Sequence, residues 1–247
     1  MLSHPTLDIL NELALHGCVK GFKELEANPA AMSMSHGEWL AVLLEYEATS
    51  RSQKRYEARI SRAKLRQNAT VEDVDYRTIR GLDKKLFTQL VSCQWIRDHR
   101  HVIFTGKTGL GKSWLACALG QKACREDISV IYQRAPRLFT ELDLARGDGR
   151  YTRLLGSLKR TSLLIIDDFG PEPLTADHRR DLLEIAEDRN GCGSLMITSQ
   201  VPVDRWHEVI GDPTLADAIL DRIIHASYRI DLDGDSMRKT RASKGDA

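Results

Sequence analysis

Features that would direct a protein to a membrane, to an oxidising compartment or to a strongly charged partner are missing from this 247-residue sequence. No apolar run approaches the roughly 18–20 residues of a membrane span, and the N-terminus has no signal-peptide core. The five cysteines form no CxxC pair, which gives little support to a zinc site or a disulfide framework. The net charge is only +1, so overall charge predicts no polyanionic partner. These absences predict a soluble cytoplasmic protein with reduced thiols and no membrane contact.

The first 68 residues are predicted to form a small, all-helical N-terminal domain. Apolar residues recur there at helical spacing, and Ser35 with Glu38 resembles a capping box that opens the second helix. The stretch from Arg51 to Arg66 then holds seven basic residues against one acid. Such a run is either a solvated helix face or a contact surface for nucleic acid or an acidic partner.

Short apolar runs alternate with helical stretches from residue 101 onward. This alternation predicts a parallel β-sheet that is covered by helices on both faces. Five strands are expected, at residues 102–105, 129–132, 163–167, 195–198 and 228–230. Residues 69–100 are then a linker and lead-in, and residues 101–247 form an α/β domain.

A phosphate-binding loop is predicted between the first strand and the helix that starts at Ser113. The pattern GxxxxGK[ST] matches here, after a strand and before a helix. Its glycines allow the backbone N–H groups to face phosphate oxygens, and the helix N-terminus adds a favourable dipole. Lys112 would contact the β- and γ-phosphates, while the Ser113 hydroxyl would bind Mg²⁺. The predicted nucleotide-binding residues are Gly106, Lys107, Thr108, Gly109, Leu110, Gly111, Lys112, Ser113 and Trp114.

Polar residues end the third and fourth predicted strands, at the edge of the sheet where the phosphates would lie. Asp167 would hold Mg²⁺, mostly through water, and Asp168 would polarise the attacking water. Two acids after a strand are also compatible with a helix cap or a surface turn, but the phosphate loop favours catalysis. Thr198 and Ser199 could orient the same water, or they could mark the turn before Pro202.

Arg222 lies between apolar residues of a predicted helix. It is either half of an ordinary ion pair or an arginine finger that completes the nucleotide site of a neighbouring subunit. A P-loop kinase of small molecules would also need the phosphate loop, but the acid pair with Arg222 fits hydrolysis between subunits better. A nucleotide-switched scaffold with negligible turnover is a further interpretation.

In this order the motifs resemble those of P-loop AAA+ ATPases of the initiator and helicase-loader group, and more closely the IstB-type helpers of bacterial DNA transposition. The resemblance spans most of the chain and depends on residues 80–83, 93–96, 106–116, 166–170, 197–202 and 211–222. It implies a nucleoid-associated ATPase that assembles with ATP and Mg²⁺ on duplex DNA, as a ring or helical oligomer. It also implies that the helper recruits or stimulates a transposase of the IstA type through the N-terminal domain. A DnaC-type loader of a replicative helicase is the alternative.

The resemblance assigns hydrolysis to the acid pair, a sensor role to Thr198 or Ser199, and a finger acting in trans to Arg222. Many ATPases of this kind have glutamate where this chain has Asp168. Because aspartate is one methylene shorter, slow and switch-like hydrolysis is expected. About seventeen residues follow residue 230, too few for a full C-terminal helical lid, and Arg238 could replace the lid arginine.

The segment between the second and third predicted strands is longer than a simple crossover. An extra helix in this place is typical of the initiator group and lines its DNA channel, so the resemblance nominates the basic residues there. Contacts of this kind with phosphates would be sequence-tolerant and salt-sensitive. A solvated amphipathic helix pair is the alternative. The nominated residues are Arg134, Arg137, Arg146, Arg150, Arg153, Lys159 and Arg160.

Overall fold

The computed structural model describes residues 4–237, and the chain divides into two compact units, residues 1–58 and 59–247. The division by role predicted from the sequence, at residues 1–68, 69–100 and 101–247, stays a prediction. Arg238, the proposed substitute for a lid arginine, lies outside the described residues. Within residues 4–237, every helix is too short or too polar to cross a membrane.

The N-terminal unit is built from helices, as the sequence predicted. They are α1 (Pro5–Glu12), α2 (His16–Glu26) and α3 (His36–Ala63) as far as residue 58, with a 3-10 turn at Pro29–Ser33 before α3. Cys18 and Phe22 of α2 and Leu43 of α3 are buried together, because residues three or four apart share one face of a helix. Leu40 and Leu44, also on α3, are more than half exposed.

Two local features fix how these helices begin. The predicted capping box is present: Glu38 Oε2 accepts from Ser35 N at 2.8 Å, and Ser35 Oγ accepts from Glu38 N at 3.3 Å. At Gly17, α2 lies so close to α3 that a Cβ would stand 2.5 Å from Glu47 Cα. There the buried Glu47 carboxylate accepts from the backbone N–H groups of Gly17 at 2.7 Å and Cys18 at 3.2 Å. A carboxylate of α3 therefore caps the N-terminus of α2.

The second unit contains the predicted parallel sheet of five strands. They are β1 (His101–Thr105), β2 (Val130–Arg134), β3 (Leu163–Phe169), β4 (Ser194–Ser199) and β5 (Ser227–Asp231). Their order in the sheet is β2-β3-β4-β1-β5, and every pair of neighbours is parallel. The predicted α/β fold class is confirmed, with strand ends shifted by at most two residues.

Eight helices of the described chain belong to this unit. They are α4 (Lys84–Val91), α5 (Gln94–Arg97), α6 (Lys112–Arg125), α7 (Ala135–Gly147), α8 (Tyr151–Arg160), α9 (Ala176–Arg189), α10 (Trp206–Ile210) and α11 (Pro213–Ile224). Short 3-10 turns lie at Val71–Asp73 and Val203–Arg205. Helices α4 and α5 fall within the stretch predicted as a linker and lead-in, and Phe87, Leu90, Trp95 and Ile96 on them are buried.

Side-chain alternation along the strands places the core on both faces of the sheet. Ile103, Ile166 and Ile197 belong to the cluster that also holds Leu142 of α7 and Ile185 of α9. Helix α6 packs against β3 and β4. Because β3, β4 and β1 are neighbours, the loops at their carboxyl ends open at one edge of the sheet, where ligands of such folds bind.

Candidate functional site

The predicted phosphate loop leaves the carboxyl end of β1 at Gly106 and enters α6. Gly106 has φ +135° and Gly109 has φ +92°, conformations that only glycine adopts readily. A Cβ at Gly106 would overlap the carbonyl oxygen of Leu232, and one at Gly109 would overlap the Ser236 hydroxyl. With the N-terminus of a 14-residue helix directly behind it, the loop has the geometry of an anion cradle.

Lys112 is the first residue of α6, and it is largely buried. Its Nζ donates to the carbonyl oxygens of Gly106 at 2.5 Å and Lys107 at 2.8 Å, so the ammonium folds back over its own loop. Burial lowers the pKa of Lys112, although the nearby carboxylates of Asp167 and Asp168 raise it. The ammonium is thus already desolvated and close to the place where phosphate charge would be neutralised.

A cavity of about 360 Å³ opens beside the loop, within the range of roughly 300–1,000 Å³ found for small-molecule sites. Six of the predicted nucleotide-binding residues line it: Thr108, Gly109, Gly111, Lys112, Ser113 and Trp114. Asp167, Asp168 and Thr198 line the same cavity, although they come from two other strands. The structure therefore brings most of the predicted site together. Gly106, Lys107 and Leu110 lie in the loop without lining the cavity.

Asp167 is completely buried at the end of β3, and both of its carboxylate oxygens accept hydrogen bonds. Tyr132 Oη donates to Oδ2 at 2.5 Å, and Thr198 Oγ1 donates to Oδ1 at 2.6 Å. Burial raises the pKa of Tyr132, and the bond to Asp167 raises it further, so the phenol keeps its proton and remains a donor. Each carboxylate oxygen keeps a second lone pair, through which Asp167 could accept from a metal-bound water.

Asp168 follows in the left-handed conformation, with φ +61°, where the pairing of β3 with β4 shifts register. Such an irregularity re-aims a side chain, and this one stands at the cavity edge. Arg134 Nη2 donates to Asp168 Oδ2 at 2.7 Å, and Gln200 Nε2 donates to Oδ1 at 3.3 Å. Burial raises the pKa of Asp168, but the hydrogen bonds from Arg134 and Gln200 lower it more, so the net pKa lies below its ordinary value.

The two predicted sensor residues have different surroundings. Thr198 lines the cavity, and its hydroxyl also accepts from Asp168 N at 3.0 Å, which ties together both acids. Ser199 is buried away from the cavity, where Oγ donates to Phe169 O at 2.7 Å and accepts from Val201 N at 3.0 Å. Ser199 thus stabilises the turn after β4, in line with the alternative interpretation that these residues mark the turn before Pro202.

Arg222 lies on α11 and does not line the cavity of its own chain. Its Nη2 pairs with Glu187 Oε1 of α9 at 3.0 Å, and Nη1 donates to Ala218 O at 2.7 Å. The ordinary ion pair is the arrangement seen here. A role as a finger for a neighbouring subunit stays a prediction.

The basic residues nominated for DNA fall into three groups. Arg134 is part of the cavity, through Asp168. Four others are held in ion pairs within the chain: Arg137 with Glu141, Arg146 with Asp181, Arg150 with Asp148 and Lys159 with Asp188. Arg153 and Arg160 are exposed on α8, and their side chains form no ion pair within residues 4–237.

Several residues in or beside the cavity were not assigned to the nucleotide site from the sequence. Tyr132 of β2 donates to Asp167 without lining the cavity itself. Arg134, predicted only as a DNA contact, lines the cavity because β2 lies beside β3 and places Arg134 in register with Asp167. Arg80 and Asp75 come from the stretch predicted as linker and lead-in, and they also line the cavity. Arg80 is the first residue of the segment 80–83 on which the family resemblance depends, but its residue type and position suggested no role in nucleotide binding.

Comparison with known proteins gives a family and a fold. A profile described as IstB-like ATP binding protein matches residues 8–245. The insertion sequence ATP-binding protein y4pL of Sinorhizobium fredii is 56% identical over 244 residues, which cover 99% of this chain and 100% of the relative. The ATP-binding protein of insertion sequence IS21 of Pseudomonas aeruginosa is 30% identical over 230 residues, covering 93% of this chain and 87% of the relative.

Solved structures with the same core are more distant in sequence. The DnaC helicase loader is matched with a TM-score of 0.57 and 20% identity, over 69% of this chain and 100% of that one. The replication initiator DnaA of a complex with AMPPCP and single-stranded DNA is matched with a TM-score of 0.56 and 19% identity, over 73% and 55% of the two chains. At such identities the likeness shows the fold, which is that of a P-loop AAA+ domain.

Proposed function

The chain belongs to the IstB-like ATP binding protein family, and from this premise we propose that it is an ATP-dependent, DNA-binding helper of transposition. It binds ATP with Mg²⁺, hydrolyses it slowly, assembles on duplex DNA as a ring or helical oligomer, and recruits or stimulates a transposase. One observation carries this proposal. A single cavity joins the phosphate loop to the buried Asp167 and to Asp168.

The donor set around the cavity suits a magnesium nucleotide. The Ser113 hydroxyl and the Asp167 carboxylate are hard oxygen donors, and Mg²⁺ keeps several waters while taking one or two protein ligands. The described residues hold no cluster of three or more His, Cys, Asp or Glu that would form an all-protein metal site. The metal would neutralise charge on the β- and γ-phosphates. Lys112 would exchange the carbonyls of Gly106 and Lys107 for phosphate oxygens.

Asp168 is the residue that we assign to water activation. Its lowered pKa keeps the carboxylate ionised at neutral pH, so it can accept a proton from water. Arg134 and Gln200 already occupy both of its oxygens. Those bonds, together with an aspartate side chain shorter than glutamate, support slow hydrolysis.

Assembly would place Arg222 of one subunit near the nucleotide of the next. The position of Arg222 outside its own cavity supports this, and the half-exposed Glu187 is a partner that it could exchange for a phosphate. The ion pair between Arg222 and Glu187 would then exist only in the unassembled chain.

Helix α8 is the part of the nominated basic region best suited to duplex DNA. Arg153 and Arg160 lie seven residues apart, two helical turns, and therefore on one face. The small residues Gly156 and Ser157 between them would let a phosphate backbone come close to the helix. Arginines that already have carboxylate partners would have to break those pairs first.

The N-terminal unit is the proposed contact for the transposase. Five of its large apolar residues are more than half exposed, Met32 among them, and the other four form two pairs four residues apart: Ile9 with Leu13, and Leu40 with Leu44. Apolar side chains in such a pattern fit an apolar surface of a partner protein. A replicative helicase is the alternative partner, because the AAA+ core is shared with DnaC and does not discriminate between them.

Assembly on DNA tests the proposal directly. The purified chain is mixed with duplex DNA and a non-hydrolysable ATP analogue, and its mass is followed by light scattering. We expect an oligomer only when both ligands are present, and Lys112→Ala should abolish it. Lys122→Ala is the matched control, because Lys122 lies on the same helix and pairs with Glu126.

A chain that stays monomeric with nucleotide and DNA would refute the helper function. Assembly with no phosphate release, equal in wild type and Asp168→Asn, would identify a nucleotide-switched scaffold. Phosphate transfer to a small molecule in preference to water would identify a kinase. Capture of a replicative helicase by the assembled chain, with no capture of a transposase, would identify a loader.

A further inference from the structure

The residues after β5 turn back across the phosphate loop. This segment, residues 232–237, is called the strap. Three of its backbone N–H groups donate to β1, to Arg80 and to the phosphate loop: Leu232 to Thr105 O at 2.8 Å, Asp233 to Arg80 O at 3.1 Å, and Met237 to Gly109 O at 3.0 Å. The loop glycines at 106 and 109 lack the Cβ atoms that would overlap this strap. The strap is thus in direct contact with the backbone that would hold the phosphates.

Arg80 joins the strap to two other segments. Its side chain is fully buried, with 2% of the residue exposed. Nη1 donates to Leu110 O of the phosphate loop at 3.0 Å and lies 3.0 Å from Met237 Sδ of the strap. Nη2 donates to Asp75 O of the lead-in at 3.3 Å. One guanidinium therefore fixes the loop, the strap and the lead-in relative to one another.

The environment of Arg80 is unusual for a buried cation. Its hydrogen-bond partners are neutral carbonyl and thioether groups, and Nε is buried with no hydrogen-bond partner in the described part of the chain. A buried charge without a carboxylate is costly, and burial lowers the pKa of Arg80 while Asp75 raises it. Since Arg80 lines the cavity, an anionic ligand there would offset this cost.

We propose that Arg80 is a positioning residue of the nucleotide site, which docks the strap on the phosphate loop so that bound nucleotide and docked strap stabilise each other. The inference rests on the proposed function in so far as the ligand is a nucleotide. Coupling of this kind is reciprocal: whatever the docked strap adds to nucleotide affinity, the nucleotide adds to strap docking.

Hydrogen exchange of the full-length chain tests the coupling, because the amides of Leu232, Asp233 and Met237 report strap docking directly. Exchange is measured with and without an ATP analogue and Mg²⁺, and affinity is measured with a fluorescent nucleotide. In wild type the nucleotide should slow exchange of these amides. In Arg80→Met it should bind about tenfold more weakly and leave strap exchange unchanged. Arg80→Lys, which keeps the charge, should restore part of the effect.

Two further variants separate positioning from general stability. Met237→Ala removes only the strap side of the contact and should weaken the coupling without unfolding the chain. Arg189→Lys is the control, because Arg189 is equally buried and donates to backbone carbonyls such as Leu158 O, but it does not line the cavity. It should lower stability and leave the nucleotide-dependent protection of the strap intact.

The outcomes are distinguishable. A wild-type chain that binds no nucleotide refutes the proposed function, and the positioning role with it. A wild-type chain that binds nucleotide without protecting the strap, or an Arg80→Met chain that protects it as wild type does, overturns the positioning role and leaves ATP binding in place.

Discussion

The ion pair between Arg134 and Asp168 leads to the sharpest prediction. Arg134 ends β2, directly before α7, and its guanidinium holds one oxygen of the carboxylate assigned to water activation. While that bond exists, this oxygen of Asp168 is engaged by Arg134 and is less available to a water molecule. Replacing Arg134 with glutamine should therefore release the carboxylate and raise the basal rate of ATP hydrolysis.

The size of the effect follows from the exposure of the pair. A hydrogen bond to a charged group contributes about 1.5–3 kcal/mol when it is shielded from water. The side chains of Arg134 and Asp168 are 46% and 27% exposed, so solvent screening reduces this to about 1 kcal/mol. Since 1.36 kcal/mol is a factor of ten, the expected increase in kcat is about fivefold.

Phosphate release at saturating ATP, pH 7.5 and without DNA measures this rate. Arg137→Gln is the matched control, because Arg137 is paired with Glu141 on the surface of α7. The acidic limb of the pH–rate profile should also move to higher pH in Arg134→Gln. The reason is that the arginine lowers the pKa of Asp168 against the effect of burial. A fall in kcat with unchanged nucleotide affinity would refute the reasoning, since Arg134 would then orient Asp168 for catalysis.

Three other predictions concern separate parts of the molecule. Tyr132→Phe removes a donor that orients Asp167 and should lower kcat about tenfold. Tyr151→Phe is the control, because it loses a bond to a carboxylate away from the cavity and should leave kcat unchanged. Equal rates for both variants would contradict the role of Tyr132. The double variant Arg153→Ala, Arg160→Ala should weaken duplex DNA binding and reduce its salt dependence by about two phosphate contacts. Binding titrations at several salt concentrations check this. An unchanged slope of log affinity against log salt concentration would argue against α8 as the DNA contact. Burial raises the pKa of Glu47, but hydrogen bonds from Arg51, Cys18 N and Gly17 N lower it more, so the net pKa in the folded chain lies below its ordinary value. The ionised Glu47 carboxylate therefore stabilises the fold above about pH 4.3, and this stabilisation is lost as pH falls through the lower pKa of the folded state. Urea unfolding should show Glu47→Gln less stable than wild type at pH 7, with a difference that shrinks at pH 3.5, and a constant difference would be the contrary result.

The phosphate loop was predictable because its requirements are local. Glycines at fixed offsets, a lysine and a hydroxyl must stand between a strand and a helix, and all of these are visible in the sequence around Gly106 and Ser113. The positions of the five strands were predictable for a similar reason, since fully buried parallel strands are short apolar runs. Asp167 and Asp168 were predictable as site residues because they come at the carboxyl end of such a strand, where the ligands of parallel sheets bind.

The sequence could not distinguish Thr198 from Ser199 in the same way. Successive side chains of a strand point to opposite faces, so only one of the two can share the environment of Asp167. Which one it is depends on the register between β3 and β4, and that register shifts between Ile166 and Phe169. The structure places Thr198 in the cavity and buries Ser199.

The sequence by itself determined the type of domain, the phosphate loop and the two acids near the end of β3, because each depends on residues that are close along the chain. Only the tertiary structure decided which distant groups act on them. Tyr132 and Arg134 reach the acids because β2 pairs with β3, and Arg80 reaches the loop because the strap and the lead-in pack against it. Such contacts join residues far apart in sequence, and no local pattern encodes them. The loop predicted at Gly106–Ser113 is therefore one wall of a cavity whose other walls only the folded chain supplies.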